Sequence, residues 1–177
     1  MTLDRFLRPW SGVAFRHIPA DSPYHVLDFR FAALASNNRW NYEGQATLYL
    51  ASDRGVALAE FARHLKEDRF TAIGGRAIDR GVFRLELSIE RLLDLRDADL
   101  CAALSLQNAP HCFLERGVSR AVAQFLRQTT PAQAIFVPSM AFLDHHDRWI
   151  AALFLEKLPA DPRQFIATVR LEGRFRV

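Results

Sequence analysis

Cysteine is scarce in this chain, and so are glycine pairs, basic blocks and long apolar runs. Cys101 and Cys112 are the only cysteines in 177 residues. They have no companions at zinc spacing, which excludes a ribbon or finger and leaves two reduced, partly buried thiols of a cytosolic protein. No apolar run approaches the ~20 residues that span a bilayer. Asp4, Arg5, Arg8 and Pro9 do not make a signal peptide. The expectation is a cytoplasmic protein that does not enter a membrane. The one glycine pair, Gly74-Gly75, lacks the spacing of a nucleotide-binding fingerprint. The formal charge of +3 favours anionic partners, but arginine is spread along the chain without a polybasic block, so no direct nucleic-acid binding is expected. Scattered arginines suit phosphate on a small ligand equally well. Internal repeats and low-complexity segments are absent too.

What is present is an ordinary globular composition, half hydrophobic and 24% charged, with a high count of 14 phenylalanines. The length bounds one domain with a sizeable core. Residues 1–11 read as an N-terminal arm in which Trp10 anchors packing. Gly12–His17 reads as a first strand, with Arg16 at a strand end facing either solvent or a ligand. Residues 19–35 form a loop with one turn of helix. Thr47–Ala51 is too short for a helix and reads as a buried strand, followed by the N-cap candidates Ser52 and Asp53. From Arg54 to Glu67 the spacing is helical, with Leu58, Phe61, Ala62 and Leu65 on one face. Glu60, Arg63, His64 and Glu67 fall on the other side, so the wheel alone makes Glu60 a solvated carboxylate beside Arg63 or His64.

Residues 68–81 form a turn-rich connection. Val82–Ile89 alternates cleanly and is a half-buried strand. Glu90–Asp99 reads as a turn or short helix with Asp94, Asp97 and Asp99 as a solvated acidic turn, since a calcium loop needs a glycine and a terminal Glu that are missing. Residues 100–112 look irregular. Glu115–Gln128 is a helix whose stripe of Val118, Ala121, Val122, Phe125 and Leu126 belongs in the core. Ala134–Val137 reads as a buried strand stopped by Pro138. Ser139 follows it without a glycine-flanked nucleophile elbow, which excludes a hydrolase serine. Asp144-His145-His146-Asp147 is a polar loop: adjacent side chains diverge and no second cluster stands at ligand spacing, so no metal is expected. Trp149–Leu158 leans to strand, and 159–177 closes the chain as a strand extension interrupted by Gly173.

Four landmarks recur in one order: Phe15-Arg16; Asn38-Arg39-Trp40-Asn41 with Gly44 and Leu48-Tyr49-Leu50-Ala51; Ala57-Leu58-Ala59-Glu60; and Val137-Pro138-Ser139. Together they resemble the RES-domain family, the toxin half of RES–Xre toxin–antitoxin pairs, over roughly residues 12–158. The family is named for an Arg, a Glu and a Ser, matched here by Arg39, Glu60 and Ser139. Two departures stand out: Asn37 and Asn38 replace glycines before the Arg, and Met140-Ala141-Phe142-Leu143 is more apolar than the usual segment after the Ser.

The resemblance implies an α+β fold, a single compact domain of mixed and antiparallel sheet with a few helices, like that of ADP-ribosyltransferases. It implies NAD+ as substrate, cleaved between nicotinamide and ribose by glycohydrolysis, phosphorolysis or ADP-ribosyl transfer. By the same resemblance Glu60 stabilises the ribosyl cation and Arg39 clamps the pyrophosphate with help from Arg16. Tyr49 packs on a ring, and Ser139 hydrogen-bonds the nicotinamide end or a phosphate. The implied partners are a helix-turn-helix (Xre-type) antitoxin and, from self-association in the family, a second copy in a homodimer. The alternative is a catalytically inactive module of the same fold that binds a nucleotide or a partner.

Overall fold

A computed structural model describes residues 3–34, 36, 38–67 and 78–177. The chain is built on one long pair of strands. β1 (Arg8–Pro19) lies antiparallel to β3 (Asp79–Asp94), in register from Arg8 opposite Leu92 to Pro19 opposite Arg80, with an irregularity between Arg8 and Trp10. Three short strands complete the wall: β2 (Thr47–Ala51), β4 (Ala134–Pro138) and β5 (Trp149–Phe154). The order β1-β2-β5-β4-β3, together with the β1–β3 pairing, brings the sheet back onto itself. Of these contacts only β3–β4 is parallel. β6 (Ile166–Arg176) adds to the free side of β3 over Asp79–Leu87. The helices are α1 (Arg54–Glu67), α2 (Ala98–Ala103) and α3 (Arg116–Thr129). The expected α+β class with mixed sheet is what is found.

Several boundaries differ from those the sequence predicts, each for a packing reason. Residues 3–11 belong to the body rather than to an arm. Leu3 is buried, a 3-10 turn covers Asp4–Phe6, and β1 begins at Arg8. Trp10 is indeed a packing anchor, edge-on to both Phe136 and Trp149, while those two rings stack at 4.2 Å. Such ring pairs contribute about 0.5–1.5 kcal/mol each beyond their burial. β3 runs past Ile89 because Leu92–Asp94 leave β6 and pair with Ala134–Phe136 of β4. With core packed on both faces of the sheet here, Leu92 and Leu93 do not need to alternate with polar residues.

Asp94 is not solvated. Its carboxylate is 8% exposed and accepts from Arg96 Nη2 at 2.7 Å and Arg8 Nη2 at 2.9 Å. Burial pushes its pKa up, but the hydrogen bonds and charge of Arg96, with Arg8 beyond, outweigh that and hold the group below the usual carboxylate range. Asp97 caps α2 by accepting from the amides of Asp99 and Leu100, so a helix stands where irregular chain was expected. Residues 20–34 are a series of turns without a helix.

α3 packs a face turned from the predicted one, keeping Leu126 and part of Val122 but not Ala121 or Phe125. Ser119, Ala123, Leu126 and Arg127 are buried, while Phe125 is 48% exposed. Arg127 fits inside because its guanidinium donates to Thr47 Oγ1 at 2.7 Å, pairs with Glu156 at 3.2 Å and lies over the Phe154 ring. Both cysteines are free thiols: Cys101 is buried, with burial pushing its pKa up to about 11, and Cys112 is half-buried. Among the described residues no helix is long and apolar enough to cross a membrane. The predicted connection 68–81 falls mostly outside the described residues, with β3 already under way at Asp79.

Candidate functional site

A cavity of about 340 Å³ opens between β1, β2, α1 and the loop that precedes β2. Its depth is set by α1. Asp53 caps that helix, with Oδ1 accepting from the Val56 amide at 3.0 Å and Oδ2 receiving Arg148 Nη1 at 2.8 Å. Val56 and Ala57 press the helix onto Ala51, with Phe15, Phe142 and Ile150 around them. The buried face is therefore turned by about one position from the predicted stripe: Leu58, Phe61, Ala62 and Leu65 are all only partly covered. A small residue at 57 lets the helix lie close to the sheet. Positions 57, 60, 61 and 64 recur at helical spacing, so Ala57, Glu60, Phe61 and His64 all face the cavity. Glu60 is not the solvated carboxylate that the wheel describes.

Both Glu60 oxygens are occupied. Oε1 accepts from Ser139 Oγ at 2.6 Å and from the Ala141 amide at 2.9 Å. Oε2 accepts from Arg63 Nε at 3.2 Å and Nη2 at 3.1 Å, one turn along α1. The side chain is 18% exposed and lines the cavity. Ser139 itself is fully buried, behind Glu60 rather than on the cavity wall. It stands there because β4 ends at Pro138 and the chain turns back, with the Ser139 amide bonded to Arg148 O and the Phe142 amide to Ser139 O.

The loop before β2 forms the opposite wall and is tied down from several sides. Gly44 has φ +84°, a left-handed turn that a side chain resists, and its amide bonds to Ala33 O. Asn41 is fully buried. Its Oδ1 accepts from the Tyr49 hydroxyl at 2.7 Å, and that hydroxyl in turn accepts from the Trp40 amide at 3.1 Å. Burial pushes the Tyr49 pKa above its ordinary value, so the phenol stays protonated. Arg39 Nη1 donates to Phe113 O and Leu114 O, both at 2.8 Å, joining the loop to the turn before α3. Arg120 of α3 does the same from beneath, donating to Asn38 O at 2.9 Å and Ser36 O at 2.6 Å. Asn37 lies outside the described residues.

The third wall is the end of β1. Arg16 donates to Val26 O and lies over the Phe29 ring at 5.0 Å. Burial lowers its pKa to about 10, partly offset by Asp28, so it remains a cation at neutral pH. His17 behaves differently. Burial first, then the charges of Arg80 and Arg16, lower its pKa to about 3. It is neutral, its Nδ1 accepts from Arg80 Nε at 3.0 Å, and its proton therefore sits on Nε2.

Of the five residues singled out from sequence, Arg16, Arg39, Tyr49 and Glu60 line one cavity and Ser139 joins it through Glu60. The sequence reading missed Arg63, Arg116, His17 and His64 as wall residues, and Asn41 as the buried support of Tyr49. Helical spacing from Glu60 was the available signal for Arg63 and His64. Arg116 and His17 carried none, because tertiary packing alone brings them there. Among the described residues the cavity thus combines four arginines with one carboxylate and apolar rings from Phe15, Phe61 and Trp40. That set suits a ligand with several anionic oxygens, a flat ring and a centre that becomes positive. Among the described residues no group of His, Cys, Asp and Glu is arranged to hold a metal ion.

Comparison with known proteins bears on the fold and the family. A chain in the crystal structure of the M. tuberculosis MbcT–MbcA toxin–antitoxin complex shares the fold, with a TM-score of 0.63 and 16% identity, over 98% of this chain and 87% of that one. At that identity the likeness is one of fold alone. No curated protein sequence matches. The family model of the RES domain matches residues 14–172. That span holds β1 from Ala14 onward, all three helices and every residue of the cavity wall named above. The chain is a member of the RES-domain family.

Proposed function

We propose that this protein is the toxin of a toxin–antitoxin pair and that it destroys NAD+ by breaking the nicotinamide–ribose bond. The observation that carries the reading is a fixed carboxylate, Glu60, on the wall of a cavity that also presents Arg16, Arg39, Arg63 and Arg116. A dinucleotide offers a pyrophosphate for arginine and a ring for the apolar wall. When nicotinamide leaves, the ribose acquires oxocarbenium character, as in glycoside cleavage. A carboxylate near that carbon stabilises the growing charge, and it does so without reorganising because its oxygens are already held.

In this mechanism Arg39 and Arg16 orient the pyrophosphate and Tyr49 supports the ring-binding wall through its bonds to Asn41 and the Trp40 amide. Glu60 faces the anomeric carbon. Nicotinamide departs with the bonding electron pair, neutralising its ring nitrogen, and an acceptor then attacks the ribosyl cation. Water, inorganic phosphate and a protein side chain are the three acceptor classes, and each leaves the same bond broken. The protein partner is an antitoxin of helix-turn-helix type that silences the cavity.

Expression without the partner tests the reading in cells. Growth arrest accompanied by loss of cellular NAD+, both relieved by co-expression of a helix-turn-helix protein encoded beside this chain, is the expected outcome. Arrest with NAD+ intact refutes the substrate assignment. The inactive-module reading predicts NAD+ binding by calorimetry with no turnover and no arrest.

A further inference from the structure

We propose that Arg63 is a positioning residue for Glu60: it completes a cradle with Ser139 Oγ and the Ala141 amide that fixes the carboxylate, and it does not grip the ligand. The proposal rests on the reading of Glu60 as the carboxylate that faces the reacting carbon.

Geometry distinguishes Arg63 from Arg16 and Arg39. Arg16 and Arg39 direct donors to backbone carbonyls, at Val26 and at Phe113 and Leu114. Arg63 instead directs Nε and Nη2 together onto one carboxylate oxygen. The opposite oxygen is taken by Ser139 and Ala141, which belong to a different element. The carboxylate is thus clamped between its own helix and the turn after β4. With only one of these supports, a glutamate can rotate about its terminal torsion, which is broad and soft. With both, each oxygen has its own direction of pull. A displacement of the reacting group by about 1 Å can cost about 100-fold in rate.

Ser139 falls under the same account. It is fully buried and reaches the cavity only through Glu60. Its removal should therefore resemble removal of Arg63 and not removal of a ligand contact.

The test is steady-state NAD+ turnover and calorimetric NAD+ binding for wild type, Arg63→Ala, Arg63→Lys and Ser139→Ala, each checked for an intact fold by circular dichroism and thermal melting. Arg63→Ala should lower kcat by about 100-fold with the NAD+ Kd within threefold of wild type. Arg63→Lys restores one donor and the charge, and should recover at least tenfold of that loss. Ser139→Ala should lower kcat with Kd unchanged. In a Glu60→Gln background, Arg63→Ala should add little further loss, because it acts through Glu60. A Kd raised more than threefold by Arg63→Ala, an undiminished kcat, or full additivity with Glu60→Gln overturns the positioning role. An inert wild type is a different result, since it overturns the NAD+ reading on which the role rests. Where Arg63→Ala fails to fold, Arg63→Lys and Ser139→Ala decide by the same split between kcat and Kd.

Discussion

Replacing His17 by glutamine should remove a definite part of this protein's sensitivity to mild acid. The imidazole is held neutral in the folded chain, its pKa lowered to about 3, first by burial and then by the charges of Arg80 and Arg16. In the unfolded chain it takes up a proton near its ordinary value of about 6.5. The unfolded state therefore binds more protons than the folded state between those two values. The stability that comes from a neutral His17 is complete above about pH 6.5 and is lost as pH falls below it. Going from pH 8 to pH 5, that loss amounts to about 2 kcal/mol, since each pH unit below the unfolded pKa contributes about 1.4 kcal/mol. Glutamine keeps an acceptor for Arg80 Nε but does not titrate. Urea unfolding at pH 8 and pH 5 measures the effect. The wild-type drop in unfolding free energy should exceed that of His17→Gln by about 2 kcal/mol, with the carboxylates common to both cancelling. Equal drops would refute the picture of a neutral, half-buried His17 beside two arginines.

Three further outcomes follow from particular contacts. Tyr49→Phe removes the donor to Asn41 and the acceptor for the Trp40 amide, so urea unfolding should show a cost of about 1–2 kcal/mol; unchanged stability would mean that water replaces both bonds. Phe113→Ala empties a fully buried site edge-on to Trp40 and should cost about 3–5 kcal/mol by the same measurement. Asp94→Asn leaves Arg96 and Arg8 without their carboxylate and should destabilise by about 1–3 kcal/mol at pH 7. Because the Asp94 carboxyl titrates below its unfolded range, its contribution is present above about pH 4 and disappears in acid, so the two stability curves should converge there.

The parts of the fold that were legible in the sequence are those governed by local pattern. Thr47–Ala51 is a strand, Trp149–Leu158 is one as far as Phe154 before a 3-10 turn over Leu155–Lys157, Asp53 caps α1, and α3 runs as a helix close to its predicted ends. The errors arise where a tertiary neighbour outweighs that pattern. Leu92 and Leu93 extend β3 because β4 is there to receive them. Arg127 goes inside because Thr47, Glu156 and Phe154 are waiting for it, which turns Phe125 outward. On α1, Ala57 packs more closely than Leu58 could, and that rotation carries Glu60 from the apparent solvent side to the cavity. The family resemblance anticipated Arg39, Tyr49 and Glu60 around one space, which the helical wheel did not. The wheel placed Arg63 beside Glu60, but neither indicated that Ser139 would take the other side of the same carboxylate, since a pairing across 79 residues is visible only in the folded chain.

The central claim concerns one bond and one carboxylate, and nicotinamide release from NAD+ by the purified protein tests it most directly. Wild type, incubated separately with water alone, with inorganic phosphate and with cell lysate, should release nicotinamide in at least one arm, and the co-product there (ADP-ribose, an ADP-ribosyl phosphate or an ADP-ribosylated protein) identifies the acceptor as water, phosphate or a protein side chain. Glu60→Gln, folded and still binding NAD+, should be slower by about 100-fold or more. NAD+ left intact by wild type in all three arms, or turnover retained by Glu60→Gln, would contradict the account.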